Sequence, residues 1–141
     1  MNTKEIINAV AKEIEDKGGI RQVFLVACGG SLVDMYPAKY FLDSEATKLH
    51  VGMYTANEFV YATPKTLGEN SLVIVCSHGG NTPESVAAAK LAQQHQAHTI
   101  TLTHNAQAQL IEYASGNDSN LLIVFYVQIM PDDFVMQLHR F

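Results

Sequence analysis

Short β-branched runs that alternate with stretches of helical periodicity constrain this chain more than any other feature. Strand-like runs are expected over 22–28, 48–54, 70–76, 98–102 and 121–127. Ile6, Ile7, Val10 and Ile14 recur at helical spacing, and Gly18-Gly19 should stop that helix. Further helices are expected over 32–46, 57–61, 82–94 and 106–113, with a turn at Gly116-Asn117. In the 32–46 helix the apolar spacing turns Val33, Tyr36, Tyr40 and Phe41 inward, and Pro37 should weaken or kink one turn. Alternation of this kind calls for a parallel sheet covered by helices on both faces, an α/β, three-layer αβα domain. Right-handed crossovers leave few topologies, and a five-stranded parallel sheet in the order 2-1-3-4-5 is the simplest.

In that order the winding reverses between strands one and three, and ligands bind outside the carboxyl ends of the strands at that point. The loops that leave these strands are "GGS" at 29–31 and "SHGGNT" at 77–82. Glycines let a backbone approach a ligand closely, and the helices that follow present unpaired amides and a partial positive charge. Gly30, Ser31, Ser77, His78, Gly79 and Thr82 therefore form a candidate cradle for one phosphate, with the hydroxyls of Ser31, Ser77 and Thr82 as donors. Pro83 suits the first helical turn, where its missing N–H costs nothing. Either loop alone reads equally as an ordinary turn; it is their convergence on one crevice that points to an anion site. His78 has the alternative role of shaping its loop. Glu58 and Glu84 lie where they could reach sugar hydroxyls, and a surface carboxylate is the alternative for each.

Other loop chemistries fail on spacing. The chain has no G-x-x-x-x-G-K-[ST] for a nucleoside triphosphate, no full G-x-G-x-x-G, and no G-x-S-x-G nucleophile elbow. His95, His98 and His104 are close in sequence, but the first pair straddles a helix end and a strand start, so no metal and no cofactor is expected. A net charge of -5 and the lack of a basic helix-turn-helix segment argue against nucleic acid and against an anionic membrane surface. The apolar run over 121–127 is too short to cross a bilayer, and the N-terminus lacks the apolar core of a signal peptide. Cys28 and Cys76 read as two small buried thiols in a reducing cytoplasm, although a bridge is open if their strands are neighbours. At 141 residues the chain reads as one domain, 1–141.

The stretches "VACGGS" and "VCSHGGNTPES" resemble the sugar isomerase (SIS) domain, the flavodoxin/Rossmann-like phosphosugar-binding fold of glucosamine-6-phosphate synthase and its relatives. "KGGIRQVFLVACGGS", "YPAKYFL", "NEF", "LGEN" and "SHGGNTPES" are similar to the N-terminal half of deglycases that split fructoselysine 6-phosphate or fructose-asparagine 6-phosphate. This resemblance implies a phosphorylated sugar as ligand, a hexose 6-phosphate or its amino-acid adduct, and phosphate contacts from Ser31, Ser77 and Thr82. Synthase-like members often carry glutamine and serine at the positions of His78 and Gly79; Gly79 has no hydroxyl, so only its amide remains. The resemblance further implies two such domains in a longer chain, with the acid/base glutamate and histidine in the second. Here the likeness fades after Asp118, and 118–141 reads as an atypical tail of a truncated half.

Two functions follow. The first is the phosphosugar-binding half of a deglycase or aldose–ketose isomerase, chemistry that shifts a proton between C1 and C2 and needs a positioned base. In this chain Glu58 and His78 are the only substitutes for that base, and neither is assigned to it. The second is a non-catalytic phosphosugar-binding or regulatory module. Domains of this resemblance commonly pair, so a homodimer or larger homo-oligomer is expected.

Overall fold

The computed structural model describes residues 3–16, 18–114 and 122–124. In chain order these form α1 (Thr3–Asp16), β1 (Gln22–Ala27), α2 (Gly30–Asp34), α3 (Tyr36–Glu45), β2 (His50–Thr55), α4 (Ala56–Tyr61), β3 (Ser71–Cys76), α5 (Pro83–Gln94), β4 (His98–Thr103), a 3-10 turn (Gln109–Tyr113) and β5 (Leu122–Val124).

All strand pairings are parallel, and the sheet order is β2-β1-β3-β4-β5. The chain thus has an α/β fold with a parallel sheet. Four strands of six residues form its body, and the three residues of β5 add to its edge through Leu102↔Ile123. The other positions of the run expected over 121–127, the turn at Gly116-Asn117 and the rest of the 118–141 tail lie outside the described residues. β1 sits between β2 and β3, with Val26 opposite both Tyr54 and Val75. A strand enclosed on every side has no need of polar alternation, which is why β1 reads as the continuous run Val23-Phe24-Leu25-Val26-Ala27, all buried.

Two cores lie on opposite faces of the sheet. On one, Phe24, Val26, Val73 and Val75 pack under Ala56 and Phe59 of α4, Ala88, Ala89 and Ala92 of α5, and Leu110. The alanines of α5 bring that helix close to the strands, while Phe24, Tyr54 and Phe59 fill the remaining space as a tilted trio with ring centroids 5.7 to 6.1 Å apart. Full burial of a side chain such as Phe59 contributes about 1.5–3 kcal/mol. On the other face Val23, Leu25 and Ala27 pack against Met35, with Leu32 and Leu42 beside it.

That second face corrects the sequence reading. The helix expected over 32–46 is divided at Met35 into α2 and α3, with Pro37 in the first turn of α3, where proline is tolerated. The aliphatic stripe Leu32, Met35 and Leu42 closes on the sheet, and the aromatic stripe expected to point inward faces out. Val33, Tyr36, Tyr40 and Phe41 are 71%, 59%, 67% and 63% exposed.

Two further expectations change in detail. The 106–113 helix is a 3-10 turn of five residues. Both cysteines are free and half-buried rather than fully buried. Their strands are neighbours, but Cys28 packs against the α5 face and Cys76 against the α2 face, so a bridge between them is not formed. Among the described residues no helix is long and apolar enough to cross a membrane.

Candidate phosphate site at the sheet switch point

β1 and β3 end side by side, Ala27 opposite Cys76, so the loops that follow them leave the sheet together. The first loop turns at Gly29 (φ 55, ψ -129), a conformation that side chains disfavour, and Gly30 and Ser31 open α2 at once. The second loop begins as an extension of the ladder, since the Ser77 amide donates to the Leu102 carbonyl at 3.0 Å. It then folds around the buried Ser77 side chain, whose Oγ accepts from the Gly80 amide at 3.2 Å and lies 3.1 Å from Thr82 Oγ1. Thr82 caps α5, and Pro83 occupies its first turn.

The carbonyls of His78, Gly79 and Gly80 are taken by residues of the segment 103–110. That of His78 accepts from Thr103 Oγ1 at 3.0 Å and from the His104 amide at 3.2 Å, with His104 Nδ1 at 3.0 Å. The Gly79 carbonyl accepts from Asn105 Nδ2 at 3.4 Å, and the Gly80 carbonyl from the Leu110 amide at 3.0 Å. Asn81 Oδ1 accepts from the Gln109 amide at 2.9 Å. The amides of His78, Gly79, Asn81 and Thr82, by contrast, have no hydrogen-bond partner among the described residues. A loop with its carbonyls engaged and its amides unspent is a concavity for an anion.

The two loops also hold each other. Ser31, at the start of α2, hydrogen-bonds the Cys76 thiol at the end of β3; Ser85, near the start of α5, donates to Cys28 Sγ at the end of β1, 3.8 Å away. Each strand-end sulfur thus meets a hydroxyl from the opening turns of the other loop's helix. Burial pushes the Cys76 thiol above its usual range, the Asp34 charge adds to that, and the Ser31 bond opposes both. Ser77 and Thr82 are thus paired within the second loop, and Ser31 meets the end of β3 from the first.

The candidate carboxylates fare differently. Glu58 closes a capping box on α4: its Oε2 accepts from the Thr55 amide and from Thr55 Oγ1, both at 2.9 Å, while its own amide donates to Thr55 Oγ1 at 3.2 Å. The Thr55 backbone bond, with the hydroxyl bond behind it, holds this carboxyl below the ordinary range. Glu84 lies in the first turn of α5, half-buried, where its charge complements the helix dipole. The ring of His78 stacks face to face on His104, centroids 4.3 Å apart and planes 6° apart, so its loop-shaping role is realised.

The three downstream histidines are split: His95 and His98 sit at the start of β4 and His104 at its far end. No group of three or more His, Cys, Asp or Glu able to hold a metal occurs among the described residues. The supporting segment 103–110 was missed from sequence. Its signal is a polar cluster, "THNAQ", directly after the carboxyl end of the strand next to β3.

Residues 19–136 match the SIS domain. The chain belongs to the SIS domain family. Over 114 residues this SIS domain is 45% identical to fructosamine deglycase FrlB of Bacillus subtilis, covering 79% of the present chain and 35% of that protein. A glutamine–fructose-6-phosphate aminotransferase from Caldanaerobacter subterraneus is 34% identical over 64% of this chain and 14% of its own. A crystal structure from Salmonella typhimurium, assigned as a phosphosugar isomerase, superposes with a TM-score of 0.82 at 44% identity, over 93% of this chain and 38% of that one. The SIS domain described here thus spans little more than a third of the length of its deglycase relative.

Proposed function

We propose that this SIS domain grips the phosphate of a hexose 6-phosphate, or of its amino-acid adduct, as the binding half of a sugar-phosphate deglycase or isomerase. One observation carries the reading: the loop over 77–82 has four amides without a partner among the described residues and the paired hydroxyls of Ser77 and Thr82, while the segment 103–110 engages the carbonyls of His78, Gly79 and Gly80. Gly30 and Ser31 complete the cradle from the first loop, and the amides of His78 and Gly79 line the second. Such a neutral cradle suits the acidic chain, because it binds an anion without Lys or Arg. Anchoring the phosphate orients the sugar's C1 and C2, a contribution that can lower a barrier by several kcal/mol.

The proton-transfer base is assigned to a second domain in the complete enzyme. Glu58, tied into a helix cap and held anionic, and His78, stacked on its neighbour, are both committed to structure. The same commitment supports the second reading, a non-catalytic phosphosugar-binding module. The exposed aromatic stripe of α3 supports a homodimer or larger assembly, and two free thiols are in keeping with a cytoplasmic home.

Calorimetric titration with fructose 6-phosphate, glucose 6-phosphate and fructoselysine 6-phosphate tests this function. Binding that requires the phosphate and is abolished in Ser77→Ala/Thr82→Ala is expected. Turnover of the fructoselysine adduct by the same samples would select enzyme over module, and folded protein that binds none of the three would refute both.

A further inference from the structure

We propose that His104 is a positioning residue of the phosphate loop, fixing and polarising the His78–Gly79 peptide so that the Gly79 N–H is presented to the anion. The inference rests on the phosphosugar-binding reading above and adds to it a residue outside both loops.

A carbonyl only accepts, so the 3.0 Å contact between His104 Nδ1 and the His78 oxygen requires a proton on Nδ1. His104 therefore reaches this oxygen twice, through its ring and through its amide at 3.2 Å, and Thr103 Oγ1 adds a third donor at 3.0 Å. Carbonyl oxygen has two lone pairs, and one donor satisfies the needs of most loop carbonyls. Three donors draw electron density toward the oxygen. Through the amide resonance that density comes from the nitrogen of the same peptide unit, which belongs to Gly79. Polarisation along a hydrogen-bonded chain strengthens the next bond by about 10–30%.

The position matters because Gly79 has no side chain. No heavy atom lies within 4 Å of where its Cβ would stand, and its amide has no hydrogen-bond partner among the described residues. A loop without a hydroxyl at this position depends more heavily on that amide. The His78 and His104 rings, parallel and 4.3 Å apart, fix the loop's remaining freedom, and Asn105 Nδ2 holds the Gly79 carbonyl from the same side.

Three variants of the full chain separate the contributions. His104→Phe keeps a ring for the stack and loses the Nδ1 donor; His104→Asn keeps a short donor and loses the stack; His104→Ala loses both. Each is titrated with glucose 6-phosphate and with inorganic phosphate, and the Gly79 amide is followed by 15N-labelled NMR without ligand. His104→Ala should weaken both ligands roughly two- to fivefold, a partial weakening of one hydrogen bond to a charged group. His104→Phe and His104→Asn should recover part of that loss. The Gly79 amide proton should move upfield in Ala and Phe and the least in Asn. His104 is exposed, so the fold is expected to persist; if Ala unfolds, Phe and Asn decide the matter. Wild-type binding with unchanged affinity and an unchanged Gly79 amide in the folded variants would overturn the role of His104 alone. A wild type that binds neither ligand would overturn the phosphate reading and this inference with it.

Discussion

Replacing Gly80 with alanine separates the packing of the second loop from its chemistry. The residue has φ +69, a region that costs an L side chain about 1–2 kcal/mol. An added Cβ would also stand 2.3 Å from the Ala108 Cβ and 2.6 Å from Thr103 Oγ1, on short side chains that have little room to yield. Overpacking of this kind adds about 1–3 kcal/mol. The two effects sum to roughly 2–5 kcal/mol, a large fraction of what a domain of this size has. Urea denaturation should show the midpoint falling by on the order of 1–2 M at unchanged slope. Gly79→Ala is the matched control: its φ lies outside the positive region and its Cβ meets nothing, so its stability should stay within about 0.5 kcal/mol of wild type. Gly80→Ala with wild-type stability would refute the claim that the loop is pressed against 103–108. Equal losses at both glycines would show that the cost comes neither from the positive φ nor from the contact, since Gly79 has neither.

Two other perturbations follow from the structure. The Cys76 thiol is raised above its reference value of 9.0, so above that pH the native state binds more protons than the unfolded chain and stability must fall as pH rises. Urea midpoints measured from neutral pH to about pH 10 should fall less steeply in Cys76→Ala than in wild type, and parallel curves would refute the assignment. If the exposed stripe on α3 is an interface, Tyr36→Ser/Tyr40→Ser should yield a monomer by sedimentation equilibrium while leaving monomer stability within about 1 kcal/mol. A wild type that sediments as a monomer would remove that stripe from consideration.

Periodicity made most of the sheet legible. The runs over 22–28, 70–76 and 98–102 differ from β1, β3 and β4 by a residue at one end; β1 and β3 announce themselves as apolar runs, whereas β4 is a β-branched alternation of threonine with apolar residues. The two glycine loops were legible for a related reason: the switch-point rule needs only the strand order, and Gly29, Gly80 and Pro83 are residues whose backbone conformations restrict their use. What was not legible depends on contacts distant in sequence. Val33, Tyr36, Tyr40 and Phe41 and the stripe Leu32, Met35 and Leu42 both have helical spacing, and only packing against β1 decides which of them meets the sheet. Glu58 could not be told from a sugar contact until Thr55 proved to be its partner. His104 was weighed for a metal on spacing alone, whereas its partner His78 lies 26 positions away.

The sheet order has a consequence in time as well as in space. β1 is the first strand synthesised, yet it lies between β2 and β3, and the loop that follows β3 takes its carbonyl partners from 103–110. No shorter nascent segment carries the complete grip: through most of translation the chain has glycine loops but nothing to hold them in shape. On the proposed function, a phosphate bound there would recognise the finished sheet and not its intermediates. By mass action it then stabilises the finished state alone, by RT ln(1 + [L]/Kd). The metabolite pool would therefore help to set how much of this domain survives proteolysis, with the sugar acting as a chaperone for the protein that binds it.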